Sequence, residues 1–106
     1  MAEDVYFQVQ TSLGVTIRTT KDYWKRIITT KHPSIAKYEG EVKETLASPD
    51  EIRKSTQDRR VHLYYKKIGK LYICVVADHI TEKEGYIITA YLTDRIKEGE
   101  QIYVKT

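Results

Sequence analysis

Apolar positions at the start of the chain recur every second residue. Val5, Phe7 and Val9 share one face of an extended run, and Val15, Ile17 and Thr19 share one face of the next. Ser12 and Gly14 lie between the two runs, so an N-terminal β-hairpin is expected. The period then changes. Tyr23, Trp24, Ile27 and Ile28 fall on one side of a 3.6-residue repeat, which predicts a helix. Thr19 and Asp22 have a capping-box spacing at its start. His32-Pro33 ends it, because the residue before a proline is pushed out of the α region.

A second helix is expected from about Ser34 to Ala47, with Ile35, Tyr38, Val42 and Leu46 as its buried stripe and a break near Gly40. Ser48-Pro49-Asp50-Glu51 has the cap, proline and acid of a helical N-terminus and predicts a short turn ending near Ser55. The rest reads as a meander. Val61 to Lys67 forms one strand and Gly69 the turn. Leu71 to Asp78 is nearly all apolar, as a strand buried on both faces would be. Gly85 to Thr93 is the next strand, Gln101 to Lys105 is a short edge strand, and Asp78-His79 opens a turn. Helices early and strands late predict an α+β fold, with N-terminal helices packed on an antiparallel sheet of about four strands.

The 106 residues suffice for one domain, 1–106, and the 41% hydrophobic and 31% charged content is that of a folded chain. The one cysteine, Cys74, has no partner in the chain, which fits a reducing compartment. No apolar run has membrane-spanning length. The acidic start Met1-Ala2-Glu3-Asp4 is unlike a signal peptide, so a cytoplasmic location without membrane association is expected. The net charge of +3 permits a polyanionic partner without requiring one. Basic residues gather at Lys21, Lys25, Arg26 and Lys31, and again at Arg53, Lys54, Arg59 and Arg60. Nine tyrosines stand against one phenylalanine. A tyrosine offers a ring for base stacking and a hydroxyl for phosphate. It also suits half-exposed positions on a thin sheet.

The sequence contains no phosphate-binding glycine loop, paired-cysteine motif or metalloprotease helix motif. His32, His62 and His79 have no ligand-like spacing, so neither a metal nor a cofactor is expected. The groups present suit phosphodiester cleavage of RNA, which supplies its own 2′-hydroxyl nucleophile. Histidine can act as base or acid near neutral pH. Arginine offers a planar fork for phosphate oxygens, and hydroxyls can donate to developing charge. Thr89 and Tyr91 share the more polar face of their strand, as if lining a shallow cleft, and Arg53-Lys54-Ser55 can project towards the sheet. Each residue also has a plainer reading. Thr89 and Tyr91 suit a half-exposed strand, His32 suits a helix C-terminus, and Arg53 and Ser55 suit a solvated surface. His62, on the same strand face as Tyr64, reads as a packing residue.

In linear order the segments resemble the phage-associated barnase–EndoU–colicin–RelE-like (BECR fold) nuclease domains. The matching stretches are Val15 to Trp24, Lys31-His32-Pro33, Thr45 to Ile52 with Ser55, Tyr64-Tyr65, Leu71 to Ala77 and Ile88-Thr89-Ala90-Tyr91. The resemblance covers about nine-tenths of the chain. It implies two helices on a four-stranded antiparallel sheet and toxin-like, metal-independent cleavage of RNA to a 2′,3′-cyclic phosphate. It also implies restraint by an antidote or immunity protein. His32 would be the general acid or base. Arg53 would clamp phosphate with Ser55 beside it, and Tyr64, Thr89 and Tyr91 would donate hydroxyls. Lys31, Lys54, Arg59 and Arg60 would bind the RNA strand. Two other readings stand beside this one: an RNA-binding module without catalysis, and a protein-interaction domain pairing through Gln101 to Lys105.

Overall fold

The computed structural model describes residues 4–96 and 99–105. The strands are β1 (Val5–Gln10), β2 (Thr16–Thr20), β3 (Glu51–Lys54), β4 (Val61–Ile68), β5 (Leu71–His79), β6 (Glu84–Thr93) and β7 (Glu100–Val104). They form one sheet in the order β1-β2-β6-β5-β4-β3-β7. β2 and β6 run parallel, and the other neighbours run antiparallel. Between β2 and β3 lie α1 (Lys21–Arg26), a π-helical turn (Ile27–Lys31), a 3-10 turn (Pro33–Tyr38) and α2 (Glu39–Ala47).

This architecture corrects the expectation of two helices on a four-stranded antiparallel sheet. The sheet has seven strands, is mixed, and is the larger part of the fold. The N-terminal hairpin is an integral part of it, because β2 docks alongside β6 through Thr16–Glu84, Ile17–Gly85 and Arg18–Tyr86. The predicted turn over 48–55 is a strand. Ile52 is fully buried, and β3 pairs with β4 on one side and β7 on the other. Those long-range pairings override the local Ser-Pro-Asp-Glu signal. Asp78 and His79 still belong to β5, opposite Tyr86 and Gly85, and do not open a turn. Residues 1–3, part of the acidic stretch behind the expectation of no leader, lie outside the described residues.

The helical region is also shorter and less regular than its hydrophobic period suggests. Thr20, not Thr19, caps α1. Its hydroxyl accepts from the Tyr23 amide at 3.2 Å, whereas Thr19 lies buried on β2. From Ile27 the coil widens into a π turn, closed by the His32 amide donating to the Ile27 carbonyl at 2.8 Å. Thr29 bonds back to the Lys25 carbonyl at 2.7 Å, a hydroxyl habit that disturbs regular helix. His32 itself is outside helical geometry (φ −142°, ψ 76°), as a pre-proline residue should be.

Residues directly opposite one another in a sheet share a face. One face carries Ile17, Tyr64, Ile73, Val75, Ala77 and Ala90, and it forms the core with Trp24, Ile27, Ile35, Val42 and Leu46. Full burial of each large aliphatic side chain contributes roughly 1.5–3 kcal/mol. β2 leaves β6 after Arg18, and from there the π and 3-10 turns lie against β6. That exchange of a strand for helical turns brings His32 to the distal half of β6. Ile88 is an extra residue in β6, because the β5 register steps from Val76–Thr89 to Ala77–Ile87. Its carbonyl accepts the Tyr23 hydroxyl at 2.7 Å.

Candidate functional site

The face opposite the core is built from aligned rows. Glu51, Tyr65, Cys74 and Tyr91 are successive cross-strand partners. Beside them runs the row Gln101, Arg53, Leu63, Val76 and Thr89. Further along β6 lies the row Asp78, Tyr86 and Arg18. Tyr65 and Cys74 are fully buried although they point away from the helices that cover the core. The Tyr91 hydroxyl is pushed well above the usual tyrosine range, first by burial and then by Cys74 and Tyr65 beside it.

His32 comes to this face from the helical turns. Its ring centroid is 5.4 Å from that of Tyr91, with the planes tilted by 40°. Two residues before Tyr91, and on the same face, the Thr89 hydroxyl is buried and has no hydrogen-bond partner among the described residues. An unsatisfied buried hydroxyl is costly in a resting fold. The Lys31 ammonium lies 5.4 Å over the Tyr23 ring. Arg53 donates to the Glu51 carboxylate and to the Gly99 carbonyl, and Gln101 donates to the same Glu51 oxygen at 2.9 Å.

Three carboxylates on this side are each met by an arginine: Glu51 by Arg53, Asp78 by Arg60 and Glu84 by Arg18. Arg60 forks onto both Asp78 oxygens at 3.0 and 2.8 Å, and this holds the Asp78 carboxyl below its ordinary range. Arg18 also donates to the Tyr86 hydroxyl at 3.0 Å, and its guanidinium lies 4.7 Å over the Tyr86 ring.

The residues picked out from sequence therefore divide. His32 packs on Tyr91, with Thr89 two residues along the same strand face, and Arg53 lies in the row of Thr89 but three strands away, beyond Val76 and Leu63. Ser55 is instead the cap of a loop, accepting from the amides of Gln57 and Asp58. Tyr64 points to the opposite face, where its hydroxyl meets His79 Nε2 at 2.8 Å. Lys54 is the cross-strand partner of His62 and so also faces that way. Lys31 lies over Tyr23 and Arg60 on Asp78, and Arg59 is exposed beside Arg60. Sequence reasoning missed Tyr65, Cys74, Glu51, Tyr23 and Tyr86. Only the strand register reveals them, since each depends on a partner in another strand or helix.

No group of three or more histidine, cysteine, aspartate or glutamate residues among the described residues is arranged to hold a metal ion. No helix among them is long and apolar enough to cross a membrane. The chain matches no protein-family model, no curated protein and no solved structure.

Proposed function

We propose that the protein is a metal-independent endoribonuclease that binds RNA across the face carrying His32, Thr89 and Tyr91. The observation that carries this reading is the packing of one imidazole, His32, against the Tyr91 ring, with the unpartnered Thr89 hydroxyl two residues away on the same strand face. In the reaction the 2′-oxygen attacks the adjacent phosphorus and loses its proton. The 5′-oxygen leaves and gains one, and a 2′,3′-cyclic phosphate remains. His32 supplies one of these two transfers, since imidazole exchanges protons near neutral pH, and solvent water supplies the other. Thr89 offers a donor already held out of water, which suits the growing charge on the phosphoryl oxygens. Lys31 adds positive charge for the strand, whereas the Arg53 guanidinium is already held by Glu51 and the Gly99 carbonyl.

A second reading is supported by a separate observation. His62 and His79 belong to the core-side cluster around Tyr64, which leaves His32 as the imidazole of the candidate site. Binding without cleavage needs only the cations and the exposed tyrosine. Incubating the purified protein with total RNA in EDTA separates the two. Fragments ending in cyclic phosphate support the nuclease. Salt-sensitive retention of intact RNA supports the binding module.

A further inference from the structure

Beside the His32 site the same face opens into a cavity of about 300 Å³. Its walls include Arg18, Tyr23, Asp78, Tyr86, Ile87 and Ile88. We infer that this cavity is a base-binding subsite that seats one nucleobase of the RNA strand, an inference that rests on the reading of this face as an RNA site.

The volume lies at the small end of ligand pockets, as a single heterocycle requires. Ile87 and Ile88 belong to its lining. The sides are flat. The Arg18 guanidinium lies on the Tyr86 ring, and together they present a planar, π-rich surface of the kind on which bases stack. Tyr86 remains 36% exposed, so its ring is open to a ligand. Asp78 supplies the polar edge. Its carboxylate already accepts the two-pronged Arg60 donor and retains further lone pairs for N–H groups. Any base that presents an N–H can donate to it, the N3–H of uracil included.

The cavity wall is tied to the chain neighbours of the reactive groups. Tyr23, one of its walls, is fixed by its hydrogen bond to Ile88, the residue before Thr89. The same ring lies under Lys31, the residue before His32. Tyr23 thus ties the cavity wall to the Lys31 ammonium, whose charge suits a phosphate.

The test is an amide NMR titration of the intact protein with the four nucleoside 5′-monophosphates. Saturable shifts are expected at Arg18, Tyr23 and Tyr86. Tyr86→Leu should weaken binding roughly tenfold, the usual loss of one stacking partner. Arg18→Gln should also weaken it, and the two changes should combine less than additively because the side chains are stacked. Absence of shifts at millimolar nucleotide, shifts located elsewhere, or unchanged affinity in both folded variants would overturn the inference. The titration requires no cleavage. Nucleotides seated in the cavity of a protein that leaves RNA intact would uphold the subsite and remove the nuclease reading. Cleavage without shifts in the cavity would do the reverse.

Discussion

The imidazoles of His62 and His79 lie face to face, their centroids 3.6 Å apart and their planes within 7° of parallel. His62 Nδ1 donates to the Arg60 carbonyl at 3.1 Å, and Tyr64 holds His79 Nε2. Lys54 faces the pair from β3, and Asp78 and Arg60 lie beside it. Burial, then His62, push His79 down to about 4, with Asp78 opposing and Lys54 adding to the fall; burial also lowers His62.

The stack therefore favours neutral histidine in the fold, while the unfolded chain protonates near 6.5. Below that pH the unfolded state binds more protons, so stability falls as pH drops from 6.5 towards about 4. The half-buried ring reduces the effect to about 1–2 kcal/mol. Urea midpoints across this window should fall on acidification, and His79→Gln should flatten the slope. An unchanged slope in that variant would remove the stack as its cause.

Tyr64 and Tyr91 provide a contrast between the two faces. Tyr64→Phe leaves His79 Nε2 without its partner and should lower stability by about 1 kcal/mol with no effect on RNA. Tyr91→Phe should weaken RNA turnover instead. Equal effects of both variants on RNA binding would contradict the assignment of faces.

Thr89 has a hydroxyl that the resting fold does not use. Thr89→Val keeps the shape and removes that hydroxyl, so thermal stability should hold or rise by about 1 kcal/mol. Affinity for RNA or the cleavage rate should drop. A variant both less stable and fully active would show that the hydroxyl serves the fold.

Gly85 is where β6 is squeezed between β2 and β5. A Cβ there would stand 2.2 Å from the Asp78 carbonyl oxygen and 2.9 Å from Ile17 Cδ1. Backbone cannot yield as a side-chain tip can, so Gly85→Ala should cost about 2–3 kcal/mol in urea unfolding. The variant would also part β2 from the rim of the base cavity.

The last prediction shows why the chain is only partly legible as sequence. The alternation of Val15, Ile17 and Thr19, and the apolar stretch from Ile73 to Val75, report local burial that the fold keeps, whereas Val5 and Leu71 at the ends of their runs are exposed. The parallel β2–β6 contact leaves no local mark, because it depends on a glycine 68 residues after Ile17 in the chain. Glu51–Lys54 resembles a helix start until two distant strands claim it. The candidate site follows the same rule. His32, Thr89 and Tyr91 were visible as chemistry, whereas Tyr65 and Cys74 become neighbours of Tyr91 only through register. Tyr64 and Tyr65 are adjacent in sequence yet serve opposite faces, so choosing between them required the structure.

The most direct test of the account is single-turnover cleavage of a short RNA in EDTA by the native protein and by His32→Ala, with both shown to be folded by circular dichroism. The account predicts a product ending in 2′,3′-cyclic phosphate, and a loss in the variant of about 10²–10⁴-fold, the usual contribution of one acid–base group. Intact RNA with the native protein, or an undiminished rate in His32→Ala, would contradict it.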